Sequence, residues 1–318
     1  MRLRWNENYK TMIQTIFSAG LPVDEKLLIQ KNSIRGHGGG GRLCVVTGTH
    51  GDELEGQYVC YLLSEFLQRN IDKIHGTIDI YPALNPLGID SITRGFPGFD
   101  LDMNRIFPGA ENKSLSDSAA FQIIDDIKSA DFAIDIHASN IFLRELPQAR
   151  INVNTADSLV RYAEMLNIDL VWVHPAATVL ESTLAHSLNS LGVKTIVVEM
   201  GVGMRITPEY GVRLFDGILN LMKNVGIYTG EVGGAISKPR IVDGDGVAFV
   251  NAEKSGVFLP EKSYGNHLDE GDVIGRIVSP LTGATLSVAK ALQPGLLMTI
   301  RAYPIVYEGS LLARIVKD

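Results

Sequence analysis

The sequence has little cysteine, little tryptophan and no block of lysine or arginine, and each shortage removes a class of function. Two cysteines in 318 residues do not make a disulfide framework. Cys44 falls in an apolar run and Cys60 in a helical pattern, so both read as small buried hydrophobes in a reducing compartment. Lysine and arginine total 29 against 36 aspartates and glutamates, giving a formal net charge of −7 and a pI near 5.5. Gripping a phosphate backbone needs a concentrated positive face, so a nucleic-acid partner is disfavoured. Trp5 and Trp172 belong to no stacking cluster that would argue otherwise. No window approaches the roughly 18 to 20 uncharged apolar residues that a membrane span needs. Residues 1–8 lack the apolar core of a signal peptide, which leads us to expect a cytoplasmic protein. The run Gly36 to Gly41 has neither the Gly-Lys-Ser/Thr ending of a P-loop nor the spacing of a dinucleotide fingerprint, and reads as a flexible turn.

What is present is enough apolar sequence, 45% of the chain, for one large domain or a large and a small one. From Leu43 onward short apolar runs alternate with helical patterns. Leu43 to Gly48, Thr77 to Leu84, Phe132 to His137, Leu170 to Val173 and Thr195 to Glu199 read as strands. Asp52 to Arg69 reads as a helix, with Leu54, Tyr58, Leu62, Leu63, Phe66 and Leu67 at helical spacing. Ser116 reads as the N-cap of a second helix, and Thr207-Pro208-Glu209 opens a last one with proline at its first position. This alternation predicts an α/β domain, residues 1–230, with a mostly parallel central sheet flanked by helices. Gly230 to Gly234 reads as a linker, and residues 235–318 as a β-rich C-terminal domain. Within that tail Glu270 to Val278 echoes Glu308 to Val316. It resembles the pseudo-symmetric halves of a lipoyl- or biotinyl-like barrel sandwich. No lysine stands near Ser279 to Gly283, where a carrier lysine would lie, so the tail reads as a structural module.

Ligands in open α/β sheets bind beyond the carboxyl ends of the strands. His50 and Glu53 follow the strand ending at Gly48, and an imidazole and a carboxylate three residues apart can share a metal ion. His137 ends another apolar strand and supplies a third donor at the same edge. Arg94 and Arg105 frame a loop rich in glycine and proline, where a guanidinium can fork onto a substrate carboxylate. Glu199 ends the apolar strand Thr195-Ile-Val-Val, a costly place for a carboxylate unless it is paired or catalytic. His174, before Pro175 at the end of a strand, reads as structural, with a place in the pocket lining as the alternative; His186 falls on a helical pattern, His37, His75 and His267 read as loop residues, and none is assigned a role.

Gly48-Thr-His-Gly-Asp-Glu53, Asn85-Pro86, Asp102-Met-Asn-Arg-Ile-Phe-Pro-Gly109, Asp135-Ile-His137 and Val198-Glu-Met-Gly201 together resemble the succinylglutamate desuccinylase/aspartoacylase family of zinc carboxypeptidase-like proteins. The resemblance runs from about residue 43 to residue 201. It implies one zinc ion on His50, Glu53 and His137. It implies Glu199 as general base and proton shuttle and Arg94 as the oxyanion-stabilising arginine. Asn104 and Arg105, with Asp102, become the substrate-binding residues for a small carboxylate-bearing molecule. The expected reaction is hydrolysis of the amide bond of an N-acylated amino acid. A metallocarboxypeptidase would use the same clamp on a peptide's C-terminus. A binding protein that had lost the chemistry would lack a ligand or the base, and all of these positions are filled. The sequence leaves open whether the chain forms a homo-oligomer.

Overall fold

A computed structural model describes residues 11–98, 101–175 and 181–318. Trp5 and the opening residues 1–8 lie outside the described residues. The described residues begin with a hairpin, β1 (Thr11–Gly20) and β2 (Lys26–Arg35), and continue through β3 (His37–Thr47), α1 (Glu55–Arg69), β4 (His75–Tyr81), α2 (Pro86–Ser91) and α3 (Leu115–Ile127). Then come β5 (Phe132–Ala138), β6 (Leu143–Asn152), α4 (Ala156–Ala163), β7 (Leu170–His174), α5 (Leu184–Ser190), β8 (Lys194–Gly201) and α6 (Pro208–Asn224). The rest is strands: β9 (Arg240–Val242), β10 (Val247–Asn251), β11 (Gly256–Pro260), β12 (His267–Leu268), β13 (Val273–Val278), β14 (Thr285–Lys290), β15 (Gly295–Arg301), β16 (Ile305–Val306) and β17 (Leu311–Lys317).

Side chains of a strand point alternately to its two faces, and β3 uses both. Leu43 and Val45 join a core built with α1, α4 and α6, whereas Cys44 and Val46 join one built with α3 and α5. The sheet is therefore covered on both sides, which is why its central strands are apolar throughout rather than alternating. Helix α1 buries Val59, Cys60, Leu63 and Leu67, about 1.5–3 kcal/mol for each large aliphatic side chain removed from water. Both cysteines are buried and free, and burial pushes their thiols up to about 12. Helix α6 starts with Pro208 at its first turn, as expected. No helix of the described residues is long and apolar enough to cross a membrane.

The sheet is mixed, where the sequence predicted a mostly parallel one. Parallel pairing joins β4, β3, β5 and β8 at the centre, and β6, β7 and β9 to one side. The β1–β2 hairpin adds antiparallel strands at one edge, and β6 runs antiparallel to β8. Through β6 the same sheet continues into β15, β17 and β10, so C-terminal strands extend the sheet of the α/β part. A second, antiparallel sheet holds β14, β13, β11 and β16. The sequence echo is real in local structure. Gly271 and Gly309 both take a positive φ (87° and 84°), and each leads into a strand, β13 or β17.

Three local expectations are corrected. The glycine run is not a loose turn but the start of β3, where a Cβ on Gly40 would lie 2.2 Å from the His75 carbonyl oxygen. His37, His75 and His267, expected in loops, open the strands β3, β4 and β12. The N-cap of α3 is Ser114, whose hydroxyl accepts from the Asp117 amide at 3.1 Å; Ser116 lies inside the helix, buried.

Candidate metal centre and active-site cavity

Strand β3 delivers the chain to a tight loop, residues 48–54, at the carboxyl edge of the sheet. Gly51 lets this loop lie against α2, since a Cβ there would meet the Gly88 carbonyl carbon at 2.0 Å. Asn85 caps α2 by accepting from the Gly88 amide at 2.9 Å, with Pro86 at the first helical position. The Gly51 amide donates to the Arg94 carbonyl at 3.3 Å, and this contact carries Arg94 to the loop.

His50, Glu53 and His137 converge there, buried, with one donor atom from each within 4.8 Å of the others. His50 Nδ1 lies 2.9 Å from Glu53 Oε1, and His137 Nδ1 lies 2.9 Å from Glu53 Oε2. The outer nitrogens also meet acids. His50 Nε2 hydrogen-bonds Asp102 Oδ1 at 2.9 Å, and His137 Nε2 lies 3.2 Å from Asp135 Oδ2. Asp135 reaches that atom because residues two apart on a strand share a face. Carboxylates on the outer nitrogens favour the Nε2–H tautomer and turn both Nδ1 lone pairs inward.

The donor set passes a chemical test for a metal. His50 Nδ1 is buried, has no hydrogen-bond partner and faces a carboxylate, an arrangement that a cation between the two satisfies. Burial works against protonation of both imidazoles, but their acidic neighbours outweigh it and hold His50 and His137 above the ordinary histidine range. The same field attracts a divalent ion. Burial resists ionisation of Glu53 too, yet the two histidines hold it well below the usual carboxylate range.

His50 and His137 line a cavity of about 450 Å³ that also exposes Arg94, Asn104, Arg105, Arg150, His174 and Glu199. Arg94 donates to Glu53 Oε1 at 2.6 Å. Arg105 donates to the Asn104 carbonyl at 2.7 Å, and its side chain is 46% exposed at the cavity. Asn104 Oδ1 accepts from the Leu184 amide at 2.8 Å, tying the loop to α5. Asp102, grouped with the substrate-binding residues from the sequence, spends Oδ1 on His50 and on the Asn104 amide at 2.8 Å. Glu199 stands beside His137 in register on β8 and is not among the three clustered donors. Burial raises its pKa, with Arg150 and His137 pulling the other way.

Arg150 was not anticipated. Its NH1 lies 3.4 Å from Glu199 Oε1. It sits on β6, a strand whose sequence contains Pro147, an unwelcome residue in a central strand. Pro147 is tolerated because the β6–β8 register shifts between Glu145 and Gln148. His174 lines the same cavity, the alternative to its structural reading; burial, then Arg150 and Arg314, lower its pKa to about 4.

A sequence model of the succinylglutamate desuccinylase/aspartoacylase catalytic domain matches residues 39–225. The chain belongs to this family. No curated protein sequence matches the chain significantly. Among solved structures it is similar to the product-bound ectoine utilization protein EutE (DoeB) from Ruegeria pomeroyi, with a TM-score of 0.84 and 19% identity over 97% of this chain and 94% of that one. A succinylglutamate desuccinylase/aspartoacylase from Rhodobacter sphaeroides gives a TM-score of 0.80 and 24% identity, covering 96% of this chain and 95% of that one. An aspartoacylase family protein from Mesorhizobium loti gives 0.78 and 19%, covering 100% and 98%. At these identities the likeness establishes the fold alone.

Proposed function

We propose that the protein is a zinc-dependent amidohydrolase that removes the acyl group from a small N-acylated amino acid. The observation that carries this reading is the buried His50–Glu53–His137 donor set opening on a cavity that holds a separate carboxylate, Glu199. Two imidazoles and one carboxylate suit zinc and leave a coordination position for solvent. Zinc in such a site supplies Lewis acidity and lowers the pKa of a coordinated water.

The remaining steps belong to the chain's own side chains. Glu199 accepts a proton from the attacking water and returns it to the nitrogen of the leaving amine. A carboxylate pKa raised by burial makes it a stronger base for the first transfer and keeps it competent in the second. Arg105, exposed at the cavity, binds the amino acid's carboxylate, and the Asn104 amide lies beside it. Arg94 offers positive charge to the developing oxyanion from its place on Glu53. Asp102 acts on His50 rather than on substrate, fixing its ring and tautomer. A cavity of about 450 Å³ suits a small molecule.

The test compares metal-loaded protein on N-acetyl and N-succinyl amino acids with blocked dipeptides and longer peptides. Release of free amino acid from the first group supports the deacylase. Release of C-terminal residues from peptides, with no deacylation, would replace it with a carboxypeptidase.

A further inference from the structure

A row of polar side chains crosses the sheet from the cavity to the last strand of the chain. It starts at Glu199 on β8, whose register partner on β6 is Gln148. Arg150 follows two residues later on β6, with NH1 3.4 Å from Glu199 and NH2 donating to Glu145 Oε2 at 2.8 Å. Glu145 is completely buried. Its Oε2 also accepts from Gln148 Nε2 at 2.8 Å, while its Oε1 accepts from Arg314 NH1. Arg314 comes from β17, two strands away through Thr299 of β15. Both guanidiniums lie over the Trp172 ring, at 5.9 Å for Arg150 and 5.7 Å for Arg314, and Arg314 lies also over Phe249 of β10.

Charge in this row balances, with two carboxylates and two guanidiniums. The division of Glu145 is what sets the geometry. A guanidinium prefers to fork onto both oxygens of a carboxylate. Arg314 holds Oε1, so Arg150 reaches Oε2 alone and keeps NH1 for Glu199. With Arg314 removed, both oxygens of Glu145 open to Arg150, and one cation is shared between the buried Glu145 and the partly exposed Glu199.

We propose that Arg314 is a positioning residue: through Glu145 it fixes Arg150 against the carboxylate of Glu199, which makes the C-terminal strands part of the hydrolytic machinery. The inference rests on the reading of Glu199 as the base of a deacylase. It assigns a task to the C-terminal segment that the metal-binding half of the chain does not supply for itself.

The test uses the full-length, metal-loaded R314M and R314K variants. Expected for R314M is unchanged metal content, KM within about twofold of wild type and kcat lower by about tenfold or more, as for a small misplacement of a reacting group. R314K, which restores a cation at Glu145, recovers part of kcat. A crystal structure of R314M shows Arg150 drawn onto Glu145, with its separation from Glu199 lengthened. Should R314M not fold, R314Q, which keeps the Glu145 carboxylate but removes the cation, takes its place with the same expected outcomes. Wild-type kcat in a folded variant, or an Arg150–Glu199 distance unchanged without Arg314, overturns the proposal. A merely structural Arg314 would lower the melting temperature and leave kcat alone. If the wild-type protein hydrolyses no N-acyl amino acid, the functional reading fails, and the crystallographic distance still decides the role of Arg314.

Discussion

His50 and His137 stand on one wall of the cavity among Glu53, Asp102 and Asp135; His174 stands on another, near Arg150 and Arg314. All three imidazoles are substantially desolvated, which by itself disfavours their charged form. Acids on the first wall overcome that penalty and raise the pKa values, whereas guanidiniums on the second add to it and bring His174 to about 4. The lesson is that the cavity is electrically divided. One wall gathers carboxylates around a donor set that could hold a cation, and the other carries fixed cations of its own. Glu199 lies between His137 and Arg150 and feels both.

Breaking the link between the walls has the largest expected effect. Glu199→Gln keeps the volume and removes the carboxylate proposed as the base, so kcat is expected to fall by roughly 100- to 10,000-fold while bound metal is retained. Steady-state kinetics paired with metal analysis check both halves. Weakening the acidic wall comes next. Asp102→Asn leaves His50 Nε2 without its anionic partner, and metal affinity is expected to drop by about 10- to 100-fold, measured by competition with a chromophoric chelator. Arg105→Ala acts on substrate alone: KM rises by about tenfold, the worth of one charge-assisted contact, with kcat little changed.

The smallest effect sharpens the basic wall. Because His174 titrates near 4 when folded and near 6.5 when free, the unfolded chain binds more protons between those values. Folded stability therefore falls as pH drops from 6.5 toward 4 and is unaffected above that window. His174→Gln removes this loss, about 1–2 kcal/mol once solvent screening is allowed for. Urea melts at pH 7 and pH 4.5 of both proteins measure it. Equal losses in the two would show that the basic wall does not suppress His174.

The two walls also differ in how far sequence reveals them. The acidic wall is encoded locally. His50 and Glu53 share one loop, Asp135 and His137 share one strand face, and each stretch follows an apolar run that marks a sheet edge. The central strands and the helices α1, α3 and α6 were legible for the same reason, since each buries a periodic apolar face. The basic wall is assembled from β6 and β17, 169 positions apart at Glu145 and Arg314, and no local pattern announces such a meeting. Pro147 hid β6. In β2 the inward positions Leu27 and Ile29 are followed by Lys31, a buried cation held by Asp79 at 3.1 Å and Asp126 at 2.8 Å, which spoils the alternation that would have marked the strand. The mixed character of the sheet follows from these omissions, because the unread strands are the antiparallel ones.

Metal stoichiometry tests the account most directly. The purified chain, loaded with zinc and desalted, is assayed by mass spectrometry of the metal alongside hydrolysis of an N-acyl amino acid. The expected result is one zinc ion per chain, lost together with activity in His137→Ala or on chelation and regained together when zinc is returned to wild type. Full activity in a metal-free preparation would contradict it.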